Sequence, residues 1–279
     1  MASSEASDRE FELGRKDFEW VRDYVYKVAG ITLADNKIDL VYGRLSRRLR
    51  ALKLTSFGDY KKLVESKQGA HEVENLINAI TTNVTSFFRE SHHFDRLRDE
   101  LVPQWTASGQ RRVRIWSAAC SSGEEPYSIS MSLHEAIGDQ IGRWDVKILA
   151  TDLDTQMVEK AAQGVYASSR VQGLSPERRK RWFSPQPGSD SVRIRPEAQS
   201  LLTFKRLNLM EGWPMRGPFD AIFCRNVMIY FDRPTQDRLI DRMSALLRVG
   251  GYLFIGHSEA VSPNCSTLRL LGRTCYVRV

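Results

Sequence analysis

The sequence predicts an α/β fold with a mainly parallel sheet, preceded by a small all-helical domain. The first eighty or so residues show only helical spacing of apolar side chains. From about Val113, short apolar runs alternate with helical patterns, which is typical of a parallel sheet covered on both faces. The segment Arg114–Ser128 begins this second region and reads as a strand, a small-residue turn and then directly a helix.

The turn in this segment indicates a ligand site. Ser117 to Gly123 contains nothing larger than Cys120, so a ligand could approach the backbone closely. Asp152 follows a second apolar run, Val146 to Thr151, where an acidic side chain can accept hydrogen bonds from ribose hydroxyls. Together, the turn and Asp152 suggest an adenosine-containing cofactor.

The remaining elements complete the α/β pattern. Helices are predicted near Thr155–Ala162 and Pro234–Leu247, strands at 202–206, 219–224 and 252–256, and a terminal hairpin at 268–279. An antiparallel hairpin that closes a parallel sheet favours the Rossmann-like methyltransferases over the dehydrogenases, by analogy of fold. Residues 173–199 are rich in Pro, Gly and Ser around a short β-like run, which fits an inserted β-subdomain or a plain surface loop.

Composition indicates a soluble protein of the cytoplasm. The 279 residues are 42% hydrophobic, with no run long enough to span a membrane and no signal peptide at the start. The four cysteines are scattered without metal-ligand spacing, so reduced thiols are expected. A net charge of +7 favours an acidic partner without distinguishing nucleic acid, membrane surface and protein.

The positive charge is local. Residues 1–36 carry five basic and eight acidic side chains, whereas residues 37–62 carry eight basic and two acidic ones. In the second range an apolar stripe at helical spacing predicts one buried face: Ile38, Val41, Leu45, Leu49 and Leu52. The basic side chains project from the other faces and predict a docking surface: Lys37, Arg44, Arg47, Arg48 and Arg50. The alternative is an ordinary solvated face.

Five segments resemble the chemotaxis receptor methyltransferases. They are Thr81–Glu90 (TTNVTSFFRE), Trp116–Ser128 (WSAACSSGEEPYS), Ala150–Asp154 (ATDLD), Pro218–Phe231 (PFDAIFCRNVMIYF) and Gly256–Glu259 (GHSE). Enzymes of that family transfer a methyl group from S-adenosylmethionine to glutamate side chains of bacterial chemoreceptors and release S-adenosylhomocysteine. Several long motifs in the same order make the resemblance specific, and it covers almost the whole chain.

The resemblance implies the residues of the site. Those expected to bind the cofactor are Asn83, Thr85, Arg89, Glu125, Asp152, Asn208, Leu209, Asn226 and Val227. Glu125 can pair with the cofactor's ammonium group, Asp152 with the ribose, and Asn208 with the adenine edge. Arg89 and Tyr230 match residues near the transferred methyl group and are the candidates for orienting the acceptor.

The resemblance also implies the domain roles and partners. Residues 1–82 would form the helical receptor-docking domain, and residues 83–279 the cofactor-binding domain with a β-subdomain at about 166–201. The expected partners are the cytoplasmic helical domains of chemoreceptors and, in some family members, a peptide at the receptor's C-terminus. We expect a monomer that binds no nucleic acid and does not insert into a membrane.

Two other readings remain open. Basic charge on an α/β methyltransferase is also typical of nucleic-acid methylation, although Arg225–Asn226 is followed by Val227–Met228 rather than by two prolines and an aromatic residue. A non-catalytic docking protein could hold the cofactor as a structural ligand.

Three polar side chains outside these motifs are given minor roles. Adjacent residues on a helix should point His92 and His93 to different faces, so no metal site is expected there. His257 is read as a packed or hydrogen-bonded histidine, and Asp154 as a cap for the following helix.

Overall fold

The computed structural model describes residues 9–279, which divide into two compact units with the boundary between Thr82 and Asn83. Among the helices of the described residues, none combines the length and the apolar character needed to cross a bilayer.

The described part of the first unit contains four α-helices: α1 (Arg15–Ala29), α2 (Ile38–Leu52), α3 (Phe57–Glu65) and α4 (Ala70–Ile80). Gly30 ends α1 in the left-handed conformation (φ 70°), and the Ser56 hydroxyl caps the start of α3. The apolar stripe of α2 is buried at Val41, Leu45 and Leu49, and it packs in the core of this unit. The two end residues of the predicted stripe, Ile38 and Leu52, are only half-buried.

The second unit is built on a seven-stranded sheet in the order β6-β2-β1-β7-β8-β10-β9. Its strands are β1 (Arg112–Ala118), β2 (Asp145–Asp152), β6 (Leu202–Arg206), β7 (Phe219–Cys224), β8 (Leu247–Ile255), β9 (Leu268–Gly272) and β10 (Cys275–Arg278). The first five are parallel, and β10 and β9 add an antiparallel hairpin at the β8 side. The carboxyl ends of the five parallel strands therefore share one edge of the sheet.

Helices cover both faces of this sheet. They are α5 (His92–Arg96), α6 (Val102–Ala107), α7 (Glu124–Ile137), α8 (Thr155–Gln163), α9 (Pro176–Trp182), α10 (Pro196–Gln199) and α11 (Arg233–Leu246). A π-helical turn, Leu97–Leu101, joins α5 to α6 without a break in the helical backbone. Such turns often lie close to functional sites.

A second, three-stranded sheet lies within the insertion. It has the order β3-β5-β4, from β3 (Val165–Ala167), β4 (Phe183–Pro185) and β5 (Ser191–Ile194), all antiparallel. An aromatic cluster of Phe87, Tyr127, Tyr166, Trp182 and Phe183 buries one face of this sheet. The insertion is thus packed against the rest of its unit.

The predicted fold class is confirmed, and the bounds of several elements differ from the prediction, among them those of the last helix and of β8. The last helix begins at Arg233 because Asp232 caps it and Pro234 lies in its first turn. Strand β8 begins at Leu247, not at Tyr252. Gly250 lies inside the strand with a φ of 74°, next to a register shift opposite β7, so what resembled a turn is an irregularity in a longer strand.

Candidate functional site

Four strand ends meet at the carboxyl edge of the main sheet. The register places Ala118 of β1 beside Thr151 of β2 and Cys224 of β7, and it places Asp152 beside Arg206 of β6. The loops that follow these strands therefore lie side by side. This edge is where open α/β sheets bind their ligands.

The turn between β1 and α7 is made of small residues in a strained backbone. Ala119 and Ser121 adopt the left-handed region (φ 65° and 48°), which non-glycine residues enter at a cost. A Cβ at Gly123 (φ 97°) would come within 2.9 Å of Ala161 and of the Tyr166 hydroxyl. Only glycine fits there, because α8 and β3 press directly on the turn.

Asp152 ties this turn to the end of β2. Its carboxylate accepts hydrogen bonds from the backbone N–H groups of Ser121 (2.7 Å) and Asp154 (2.9 Å), and the residue is 7% exposed. Burial raises the pKa of Asp152 to about 6. Asp154 caps α8 through the N–H groups of Gln156 and Met157, as predicted.

The loop that carries Asn83 and Thr85 is attached to this turn. The Asn83 amide donates to Asp154 (2.8 Å), and the Ser121 hydroxyl donates to the Asn83 carbonyl (3.2 Å). The Thr85 carbonyl accepts a hydrogen bond from Arg170 of the insertion (2.8 Å). The predicted residues of the first and third motifs are thus brought together.

Arg89 and Tyr230 lie on two neighbouring loops. The Arg89 guanidinium donates to the Val84 carbonyl (2.9 Å), and its other N–H groups have no partner within residues 9–279. Tyr230 is half-buried in a single 3₁₀ turn, Met228–Tyr230. The two loops are joined because Arg225 donates to the Arg89 carbonyl.

Arg225 is a buried cation at the centre of the site, and the sequence reasoning gave it no role. Its side chain is 2% exposed and lies 3.0 Å from Glu125 and 3.6 Å from Glu90. The Ser117 hydroxyl donates to the other oxygen of Glu125 (2.7 Å). Both Glu125 oxygens therefore already have a partner, and the predicted ammonium contact would use their remaining lone pairs. An arginine that directly follows the apolar run Ala221–Cys224 of a fully buried strand was the available signal.

The pKa values of the two glutamates beside Arg225 are shifted in opposite directions. Burial is the largest effect on Glu125 and raises its pKa, despite the opposing Arg225 charge. Burial also opposes ionisation of Glu90, but hydrogen bonds from His257 and Asn226 and the Arg225 charge outweigh it and lower the pKa to about 2. His257 is therefore hydrogen-bonded, as predicted, through Nδ1 at 3.1 Å from Glu90.

Asn208 and Leu209 follow β6 at the far side of the edge. Asn208 is 4% exposed, and its side chain accepts from the Met210 N–H (3.0 Å) and donates to Glu211 (3.1 Å). The Leu209 carbonyl accepts a hydrogen bond from Arg242 (2.7 Å). These contacts shape the turn after β6, and recognition of adenine by Asn208 stays a prediction.

The expectation that His92 and His93 point to different faces is wrong. Their ring centroids are 4.2 Å apart, and the Nε2 atoms lie 3.3 and 3.0 Å from the same carbonyl oxygen, that of Arg273. The carbonyl of the terminal hairpin draws both rings to one side. With Glu90 they form a group whose ligand atoms lie within 4.8 Å of one another, but Arg225 is beside Glu90, and its positive charge opposes a cation there.

Three of the five basic side chains predicted to form a docking surface have partners within the fold, and docking itself stays a prediction. Arg44 donates to the last carbonyls of α4, those of Ala79, Ile80 and Thr81, where a cation satisfies the helix end. Arg48 forms two hydrogen bonds with the buried Glu72. Arg50 pairs with Glu10, whereas Lys37 and Arg47 are exposed and have no ion pair within the described chain. The periodicity could not show this because the partners lie on other segments.

The fold and the edge site define a class. A parallel sheet with a terminal antiparallel hairpin, a small-residue turn after β1 and a carboxylate at the end of β2 are typical, by analogy of fold, of methyltransferases that use S-adenosylmethionine. Two family models match the chain: "CheR methyltransferase, all-alpha domain" over residues 16–81, and "CheR methyltransferase, SAM binding domain" over residues 83–277. The chain belongs to the CheR methyltransferase family.

Relatives support the same assignment over nearly the full length. The chain is 46% identical over 274 residues to "Chemotaxis protein methyltransferase 2" of Pseudomonas aeruginosa, covering 96% of this chain and 95% of the relative. It is 47% identical over 262 residues to "Chemotaxis protein methyltransferase" of Escherichia coli, covering 93% and 89%. The predictions of family, enzyme class and cofactor are confirmed, and the matches support S-adenosylmethionine-dependent methylation in chemotaxis.

Proposed function

We propose that this protein transfers the methyl group of S-adenosylmethionine to glutamate side chains of chemoreceptors, forming methyl esters. The observation that carries the proposal is the joining of the Arg89 and Tyr230 loops by the buried Arg225, next to the edge that holds Asp152 and Glu125. The names of the relatives support chemotaxis as the setting.

The residues at the sheet edge fit the cofactor. Asp152 is a buried carboxylate oriented by two backbone N–H groups, which suits a pair of ribose hydroxyls. The backbone of the turn at Ala119–Gly123 carries no large side chain. We assign Asn83, Thr85, Glu125, Asp152, Asn208, Leu209, Asn226 and Val227 to holding the cofactor, together with Arg89. When bound, S-adenosylmethionine supplies a methyl group activated by its sulfonium.

The protein's own task is to place and desolvate the acceptor. A glutamate with an ordinary pKa near 4.3 is ionised at neutral pH, so no general base is needed. Holding the carboxylate in line with the methyl group can supply roughly 7 to 11 kcal/mol of the barrier. Arg89 has guanidinium N–H groups available within the described chain, and we assign it and Tyr230 to orienting the acceptor carboxylate.

We assign receptor docking to residues 1–82 and catalysis to residues 83–279. Of the five basic residues predicted to dock, Lys37 and Arg47 are exposed and have no ion pair among the described residues, and they are the candidates for contact with acidic receptor helices. Arg50 would contribute after release from Glu10. The insertion at about 166–201 is assigned to a receptor C-terminal peptide. Since the proposed substrates are cytoplasmic receptor domains, we infer a cytoplasmic location. That the enzyme is a monomer stays a prediction from the family resemblance.

The test is transfer of radiolabelled methyl from S-adenosylmethionine to chemoreceptor cytoplasmic fragments, with DNA and RNA as parallel acceptors. Label on the receptor that base releases as methanol would support glutamate esterification. Label on nucleic acid would favour a nucleic-acid methyltransferase, and cofactor binding without transfer would favour a docking protein. Methylation of a cytosine ring is already disfavoured, because Cys224 is fully buried and burial raises the pKa of its thiol.

The role of Arg89 has its own test. Replacing Arg89 with Ala should cost about 1.5 to 3 kcal/mol in kcat/KM, the value of a hydrogen bond to a charged group. Unchanged turnover at limiting receptor would exclude Arg89 from orienting the acceptor. Cofactor binding, measured by calorimetry with S-adenosylhomocysteine, separates this role from cofactor contact.

A further inference from the structure

A single carboxylate holds the backbone that follows β7. Asn226 adopts the left-handed region (φ 59°), which costs free energy for a residue with a Cβ. Glu259 accepts hydrogen bonds from the backbone N–H groups of Asn226 (3.0 Å), Met228 (2.7 Å) and Gly256 (2.5 Å). Glu259 is 8% exposed, so these bonds are shielded from water. The turn therefore owes its shape to a side chain 33 residues away.

The surroundings leave the turn little freedom. A Cβ at Gly256 would lie 2.4 Å from the Asn226 side-chain nitrogen, 2.8 Å from its backbone nitrogen and 2.9 Å from Glu259. The Asn226 amide also donates to Glu90 (3.2 Å), on the loop that carries Arg89. Displacement of the carboxylate would thus move Asn226 and leave buried backbone N–H groups without an acceptor.

We propose that Glu259 is a positioning residue for methyl transfer. It acts through the backbone of residues 226–228, which carries the Asn226 and Val227 side chains assigned above to holding the cofactor and leads directly to Tyr230, assigned to orienting the acceptor. The inference rests on the proposed function for the identity of the reaction. Because a misplacement of about 1 Å can cost about 100-fold in rate, a carboxylate that sets this backbone controls kcat without touching the substrate.

The Glu259→Gln variant changes the fewest atoms. One Glu259 oxygen, Oε2, serves Asn226 and Gly256, and the other, Oε1, serves Met228. The side-chain oxygen of a glutamine can accept from the Asn226 and Gly256 N–H groups only if its NH₂ group turns toward the Met228 N–H. Two donors then face each other, and the Met228 N–H loses its acceptor. We expect the Met228 amide to exchange its hydrogen at least about tenfold faster, because its hydrogen bond is lost.

Kinetics separate positioning from stability. At saturating cofactor and receptor, kcat of Glu259→Gln should fall about 30-fold or more, with the receptor KM unchanged, because only the alignment is lost. The affinity for S-adenosylhomocysteine should stay within about fivefold, since Asp152 at the end of β2 keeps its contacts. A general loss of structure would instead lower affinity and thermal stability without this split.

Asp220 supplies the matched control at the opposite end of β7. It is 5% exposed and accepts three hydrogen bonds of 2.7 Å, from the Arg114 N–H, Gln110 and Arg248. Asp220→Asn should lower the melting temperature about as much as Glu259→Gln while keeping kcat within about twofold, because it lies away from the reacting edge. Equal kcat losses in the two variants would overturn the proposal.

The outcomes distinguish this inference from the proposed function. If the wild-type protein methylates no receptor, the proposed function fails, and exchange at Met228 still tests the carboxylate. Unchanged exchange in Glu259→Gln would overturn the inference on its own. If Glu259→Gln does not fold, the Glu259→Asp variant replaces it, since it keeps the charge on a side chain shorter by one methylene. A wild-type kcat in Glu259→Asp would likewise overturn the proposal.

Discussion

Replacement of Arg48 by Ala should destabilise the helical unit far more than replacement of its neighbour Arg47. Glu72 is fully buried, and its carboxylate accepts two hydrogen bonds from Arg48 (3.0 and 2.7 Å), one from Tyr60 (3.0 Å) and one from Asn75 (2.9 Å). Burial by itself raises the pKa of Glu72, yet Arg48 and the other donors together lower it. Without Arg48, the buried carboxylate loses its only cationic partner among the described residues.

The magnitude follows from the environment of that charge. Breaking a buried ion pair by removing one partner costs about 3 to 5 kcal/mol. Because Tyr60 and Asn75 still donate to Glu72, we expect the lower value, about 3 kcal/mol. Arg47 is exposed and has no ion pair in the described chain, so Arg47→Ala should change stability by no more than about 0.5 kcal/mol.

Native-state hydrogen exchange measures both variants. The free energy of opening for peptides of α2 and α4 should drop in Arg48→Ala and stay near wild type in Arg47→Ala. The double variant Arg48→Met with Glu72→Met should recover only part of this stability, since a hydrophobic pair can replace a buried ion pair but leaves the Tyr60 hydroxyl and the Asn75 amide without their acceptor. Opening free energies in Arg48→Ala within about 1 kcal/mol of wild type would refute this reasoning and return Arg48 to the docking candidates.

Three further outcomes follow from the structure. Affinity for S-adenosylhomocysteine should be full at pH 7 and above and fall as the pH drops through about 6, because Asp152 then takes up a proton and loses an acceptor oxygen. Calorimetry should detect proton release on binding near pH 6, and the Asp152→Asn variant should show no such pH dependence. Gly123→Ala should lower the free energy of unfolding by about 1 to 3 kcal/mol and weaken cofactor binding, since the added Cβ has no room. Gly188→Ala, at a similar positive φ but with nothing within 4 Å of the added Cβ, should leave cofactor binding unchanged, and equal binding losses in the two variants would count against the steric argument. Charge reversal at Lys37 or Arg47 should reduce receptor methylation more at low salt than at high salt, because exposed charges are screened beyond about 8 Å; a salt-independent deficit would contradict docking by charge.

The chain's local patterns predicted its fold well because each element carries its own signal. The apolar runs and helical stripes placed most of the predicted strands and helices within a few residues, and the small turn after β1 lies at the carboxyl edge of the sheet. The π-helical turn Leu97–Leu101 was not predicted, since its apolar spacing differs little from that of an α-helix. Strand β8 was shortened in the prediction because Gly250 and Gly251 resemble a turn when their neighbours in the sheet are unknown.

Side-chain partners at long range are what the sequence could not supply. Arg48 and Glu72 lie 24 residues apart, Glu125 and Arg225 lie 100 apart, and Glu259 reaches back 33 residues to Asn226. In each case a charge that looks available in the sequence is already committed in the fold. A charged residue on an amphipathic helix therefore indicates a docking surface only when the folded chain leaves it unpaired. Among the basic residues proposed to dock, Lys37 and Arg47 meet that criterion within residues 9–279, whereas Arg44 and Arg48 stabilise the helical unit itself.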